Sequence, residues 1–177
     1  MPEIVLPDPS LVVLVGAAGA GKSTFAARHF APDEILSSDT FRRMVSGDEA
    51  NQAATKAAFK VLHEVLARRL AAGRTAVIDA TNVEPSARRA LLIRANAAGI
   101  PATAIVLDLP AATVLARNAA RPARVVDMAV VRRQLEKVRA GIDGPDPVIA
   151  SEGFAAIVVL RDPAEVDGVA IRRRPAP

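Results

Sequence analysis

The 177 residues fit one domain, expected over 1–177, that buries roughly 70% of its unfolded surface. A composition 51% hydrophobic and 24% charged excludes intrinsic disorder, and the absence of cysteine excludes disulfides, thiolate zinc sites, iron–sulfur clusters and thiol nucleophiles. The net charge of +4 rests on 19 arginines against 4 lysines; arginine's planar fork suits phosphate, but GC-rich codon usage gives the same bias, so charge alone decides nothing.

His29 and His63 are too few and too far apart for a multi-histidine metal site. No apolar run approaches the ~18–20 residues of a membrane span, and the first cation is Lys22, against a signal peptide. The expectation is a soluble cytoplasmic protein with no membrane contact.

In chain order, Leu11–Val15 is a continuous apolar run, as in a strand buried on both faces. A glycine-rich turn follows, then helical spacing over Lys22–Phe30. Glu34–Ser37 reads as a second strand and Thr40–Val45 as the start of a helix. Glu49–Ala72 is a long amphipathic helix with Phe59, Leu62, Val65, Leu66 and Leu70 on one side, ended by Gly73. Thr75–Ile78 is a third strand, Pro85–Ala98 a helix closed by Gly99 and Pro101, and Thr103–Leu107 a fourth strand. Ala111–Ala120 is a helix stopped by Pro122, and Asp127 caps a helix over Met128–Ala140. Ala155–Leu160 is a fifth strand; Asp162–Pro177 reads as a polar, partly ordered tail in which Arg172, Arg173 and Arg174 fray in preference to gripping phosphate. Alternating strands and helices predict an α/β fold with a parallel sheet of about five strands flanked by helices.

The strongest signal is Gly16-Ala17-Ala18-Gly19-Ala20-Gly21-Lys22-Ser23, a full match to G-x-x-x-x-G-K-[ST] between a strand and a helix. Glycines let successive N–H groups curl around a phosphate, and the helix N-terminus adds its positive dipole end. Gly16, Gly19, Ala20, Gly21, Lys22, Ser23 and Thr24 are therefore the nucleotide-binding candidates. Lys22 is placed for the β- and γ-phosphates and Ser23 for Mg²⁺. The chain is expected to bind ATP or another NTP.

Beyond the second strand, Ser38-Asp39-Thr40-Phe41-Arg42 sets a carboxylate and a guanidinium three residues apart on one helical face. The pair suits an acceptor carrying both a hydroxyl and an anionic group: Asp39 takes the proton and Arg42 grips the anion. The structural alternative is a helix cap and a solvated arginine. Asp79, at the tip of the third strand, occupies a Walker-B-like place and would hold the metal through water. Ser38, Thr81, Asn82 and Arg124 are candidates for phosphate or acceptor contacts, with Asn82 equally placed to start the helix at Pro85. Arg117 and Arg121, four apart, would share a helix face and repel unless an anion lies between them, as in an arginine-bearing helical lid over a triphosphate. Phe41 stands open between stacking on a base and anchoring its helix.

Together, S-S-D-x-x-R, D-A-T-N and R-N-x-x-R, in that order after the glycine-rich loop, resemble the 5′-hydroxyl polynucleotide kinases over roughly residues 11–140. The resemblance implies ATP- and Mg²⁺-dependent transfer of a γ-phosphate to a 5′-OH end of RNA or DNA, with a role in nucleic-acid repair. It gives Asp39 the role of general base, Arg42 that of an acceptor-phosphate ligand, and Arg117 and Arg121 that of donor-phosphate ligands. Many such kinases carry a phosphatase or ligase module, for which this chain has no room. Two other classes stay open: a kinase of a small metabolite or tRNA-linked hydroxyl, and a nucleotide-dependent ATPase switch, for which Asp39 and Arg42 have no clear use.

Overall fold

The computed structural model describes residues 3–47, 54–122 and 124–176. Its centre is β2 (Leu11–Val15), buried along its whole length. On one side lie β4 (Ala76–Asp79) and β3 (Ile35–Ser37), on the other β5 (Ala102–Leu107) and β6 (Ala156–Leu160), giving the all-parallel order β3-β4-β2-β5-β6. The expected five-stranded α/β sheet is therefore present.

Period-2 alternation sends Leu11, Val13 and Val15 into one apolar layer and Val12 and Leu14 into the other. The first layer is covered by α2 (Ser38–Ser46), α3 (Thr55–Ala71) and α4 (Pro85–Ala97). The second is covered by α1 (Lys22–His29), α5 (Ala111–Ala119), α6 (Met128–Ile142) and α7 (Pro163–Gly168). Leu62, Leu66 and Leu70 bury the core stripe of α3, with Phe59 and Val65 beside it; the start expected for this helix, Glu49–Ala53, lies outside the described residues. Chain order changes direction at β2, whose neighbours are β4 and β5. In open α/β sheets such a switch point opens the ligand crevice at the carboxyl ends of the strands.

Three expectations need correction. Residues 162–176 are not a loose tail: Asp162 caps α7 through a reciprocal bond with Glu165, and β7 (Ala170–Pro175) pairs in parallel with β1 (Glu3–Asp8). Arg172 pairs with Glu3, and Arg173 makes a bidentate pair with Glu34 while its guanidinium lies over the Phe30 ring. Backbone pairing and ion pairs hold a segment that hydrophobicity alone would leave free. Second, α2 begins at Ser38, so Asp39 sits inside its first turn, and neither Asp39 nor any other side chain caps it. Third, α5 ends at Ala119 and Arg121 lies just past the helix, because the residue before Pro122 is disfavoured in α geometry. Arg117 and Arg121 are thus not two residues of one helix face.

Candidate active site

The loop from Gly16 to Gly21 joins β2 to α1 and packs closely against the backbone beside it, at Gly19 too closely for any side chain. A Cβ on Gly19 (φ +89) would stand 2.6 Å from the Val114 carbonyl oxygen, and one on Gly16 3.2 Å from that of Leu107. Gly21, with φ +97, is the N-cap of α1. The Gly16 N–H donates to the Thr81 carbonyl (3.0 Å), clipping the loop to the end of β4. Lys22 folds back over the loop, and its Nζ donates to the carbonyls of Gly16 and Ala17, both at 2.9 Å.

The loop lies in a cleft of about 1000 Å³. Gly19, Gly21, Lys22, Ser23 and Thr24 line it, as do Ser38, Asp39, Arg42, Asp79, Thr81, Arg117, Arg121 and Arg124. The fold thus brings together most of the residues singled out in the sequence. Three stand apart. Gly16 and Ala20 support the loop from behind, Ala20 spending its N–H on the Ala17 carbonyl. Asn82 is buried away from the cleft in a left-handed conformation (φ 48), and its amide donates to the Leu14 and Ala80 carbonyls. It ties the ends of β2 and β4 together. It does not start α4, whose N-cap is Glu84.

Asp39 carries the most pointed geometry. Its Oδ1 accepts from Arg42, on the same helix, and from Arg124, 85 residues away in the loop after α5. Arg42 is only 5% exposed, which excludes the solvated-face alternative. Phe41 is buried in the core under α2, so it anchors that helix. Asn118, fully buried, accepts from the Val126 N–H (3.1 Å) and donates to its carbonyl (2.7 Å), tying the chain beyond α5 back onto that helix.

Asp79 ends β4, paired in register with Ser37 of β3, so strand order alone sets it between the loop and α2. Burial lowers the Lys22 ammonium to about 8; Asp79 opposes this, while Arg121 and Arg124 add to it. Six cations and four carboxylates line the cleft, an excess that a polyphosphate would neutralise. The donors fit Mg²⁺: the Ser23 hydroxyl and the Asp79 carboxylate are hard oxygen groups, and phosphate oxygens and water would complete the shell. Among the described residues no group of three or more acidic or histidine side chains gathers to hold a metal by itself.

Sequence reasoning missed several cleft residues. Thr55 and Phe59 of α3 line the cleft, Arg28 and Asp167 of α7 form an ion pair in its wall, and Gln134 reaches in from α6. None belongs to a motif; only tertiary packing brings them here. His29 and His63 take no part in the cleft: they pack against Phe25 and Phe59, and burial lowers the pKa of each.

Residues 11–145 match the family described as AAA domain (AAA_33). No curated protein matches the chain. A sugar kinase from Janibacter sp. HTCC2649 shares the fold at 22% identity and a TM-score of 0.56, over 86% of this chain and 85% of that one. Kti12 of Chaetomium thermophilum, in complex with ADP-AlF3, shares it at 20% identity and 0.59, over 89% and 94%. A chain of the Pnkp1/Rnl/Hen1 RNA repair complex matches at 22% identity and 0.60, over 76% of this chain and 45% of that one. The fold is the P-loop kinase fold. Among the described residues no helix is long and apolar enough to cross a membrane.

Proposed function

The chain belongs to the AAA domain family, and from that premise we propose that it is a polynucleotide 5′-hydroxyl kinase, moving the γ-phosphate of ATP to a 5′-OH end of RNA or DNA. It is a phosphotransferase with a hydroxyl acceptor. The observation that carries this reading is the Asp39 carboxylate held between Arg42 and Arg124 in the same cleft as the phosphate loop. A hydrolase or switch has no need of a carboxylate and a buried guanidinium presented together beside the donor. An acceptor with a hydroxyl next to a phosphodiester needs both.

The chemistry follows from the placement. The acceptor hydroxyl oxygen forms a bond to the γ-phosphorus as the bond from phosphorus to the β–γ bridging oxygen breaks, and ADP leaves. The hydroxyl proton passes to the Asp39 carboxylate, oriented by its two guanidinium partners. Loop N–H groups and the Lys22 ammonium hold the β- and γ-phosphates, and Arg117 and Arg121 face the charge that spreads over the transferred group. Ser23 and Asp79 would hold Mg²⁺, which would supply charge neutralisation on the donor phosphates. Arg42 grips the phosphate 3′ of the reacting hydroxyl.

A second reading, a kinase of a compact metabolite, is favoured by Thr55 and Phe59, which line the same cleft and add non-ionic surface to it. One experiment separates the two. Transfer from γ-labelled ATP is measured on a 5′-OH oligonucleotide, a nucleoside 3′-monophosphate, the bare nucleoside and a panel of sugars. We expect label on the first two, and Arg42→Ala should cut their kcat/KM by about 10–150-fold more than that of the nucleoside, the worth of one charge-assisted contact beyond the loss of the Asp39 partner common to all acceptors. Transfer to sugars alone, or equal losses on all acceptors, would overturn the nucleic-acid assignment.

A further inference from the structure

The peptide group between Ala17 and Ala18 is held at both ends. Its carbonyl oxygen accepts from Lys22 Nζ (2.9 Å), and its N–H donates to Gln134 Oε1 (2.9 Å). Because the peptide is planar, these two bonds fix its orientation, and each strengthens the other by polarising the group between them. Gln134 lies two turns into α6, the helix that Asp127 caps where the loop after α5 ends, and its half-buried side chain lines the cleft.

A carboxamide that spends its oxygen on a loop N–H keeps both N–H donors of Nε2, and among the described residues the Gln134 side chain makes no other hydrogen bond. Nε2 lies about 2.2 Å from Oε1 within the same rigid group, so anchoring one atom sets the place of the other. That place can be assigned along the donor. The Walker-loop lysine meets the β- and γ-phosphates, whereas the start of α1 meets the phosphates nearer the nucleoside. Lys22 Nζ rests on the Gly16 and Ala17 carbonyls, so the Ala17–Ala18 peptide marks the γ end.

We propose that Gln134 is a γ-phosphate ligand: Oε1 anchors its amide to the Ala18 N–H, and Nε2 donates to a γ-phosphoryl oxygen, so that α6 distinguishes a nucleoside triphosphate from a diphosphate. This rests on the phosphotransferase reading above, although not on the identity of the acceptor. A neutral donor suits the position. It adds a directed contact where Lys22, Arg121 and Arg124 already supply charge, and it does not raise the barrier to releasing the diphosphate, which has no γ group to contact.

The test is the ratio of ATP to ADP affinity, each measured by calorimetry with Mg²⁺, for wild type, Gln134→Ala and Gln134→Glu. The glutamate variant keeps an oxygen for the Ala18 N–H and the side chain's volume, but replaces the Nε2 donor with a second anionic oxygen. We expect ADP affinity within about threefold of wild type for both variants. ATP affinity should fall by roughly tenfold in Gln134→Ala and further in Gln134→Glu, the latter through like-charge repulsion. A purely structural role for Gln134 would weaken both nucleotides together, or leave the glutamate variant like wild type. Either result, or an unchanged ratio in both variants, overturns the inference. If wild type binds neither nucleotide, the phosphotransferase reading itself fails, a result distinct from an unchanged ratio.

Discussion

Replacing Asp39 with Asn tests the centre of the proposed chemistry, because the amide keeps the shape of the carboxylate and removes its charge and basicity. The cost in rate and the cost in stability come from different features and can be measured apart. A positioned general base contributes about 10²–10⁴-fold to a proton-coupled transfer, or roughly 3–5 kcal/mol of barrier. The stability term follows from burial: Arg42's side chain is 6% exposed and that of Asp39 28%. Losing one partner of a fully buried pair costs about 3–5 kcal/mol, and of an exposed pair at most about 1, so the solvent reaching Asp39 sets the expectation near 2 kcal/mol. For a chain of this size that is a drop in Tm of roughly 4–8 °C, which leaves the variant folded at 25 °C. The assay is single-turnover transfer from γ-labelled ATP to the acceptor that wild type uses, beside an ATP titration on the same sample. We expect the rate constant to fall at least a hundredfold with ATP affinity little changed, because Asp39 lies on α2, off the donor loop. A loss below tenfold would remove Asp39 as the base. A loss of ATP affinity matching the loss of rate would make it a donor-side residue.

Two further outcomes follow from the loop and from the chain beyond α5. Asn118→Ala removes both bonds that tie Val126 to α5 and should lower stability by about 2 kcal/mol, read by chemical denaturation, while reducing kcat more than it changes ATP affinity. Gly19→Ala should abolish nucleotide binding in a titration, since its Cβ would stand 2.6 Å from a backbone oxygen at a positive φ; retained binding would show that the loop can move aside.

What the sequence made legible was whatever short stretches encode by themselves. Five apolar residues in succession at Leu11–Val15 can hardly be anything but a strand buried on both faces, and the spacing from Gly16 to Ser23 is a property of one loop. The Asp39–Arg42 pairing was readable because both residues sit on one turn of helix. What stayed hidden depends on residues far apart in the chain: Arg124 reaching Asp39, Gln134 reaching Ala18, and Asn118 holding Val126. The strand pair at the chain's two ends is the clearest case. β1 offers only Ile4 and Leu6 as alternating apolar positions, and β7 is almost wholly exposed and rich in arginine, so neither shows the periodicity that announces a strand. Its order comes from register with the other end of the chain and from the Glu34–Arg173 pair, which gives the correction a measurable consequence. The hydrogen bond from Arg173 holds the Glu34 carboxyl below its ordinary 4.5, partly offset by burial. A carboxyl depressed in the folded state contributes stability that is fully present above its unfolded value and is lost as pH falls through its folded value. With Arg173 33% exposed, solvent screening limits the pair to about 1–2 kcal/mol. Arg173→Ala should therefore be less stable than wild type by that amount from about pH 5.5 upward, and the gap should shrink as pH falls below 4.5 and through the lower folded value of Glu34. Urea denaturation of both proteins at pH 7, 5, 4 and 3.5 measures the gap; a difference that is absent at pH 7, or that does not narrow in acid, would return residues 170–175 to the loose tail that their composition suggested.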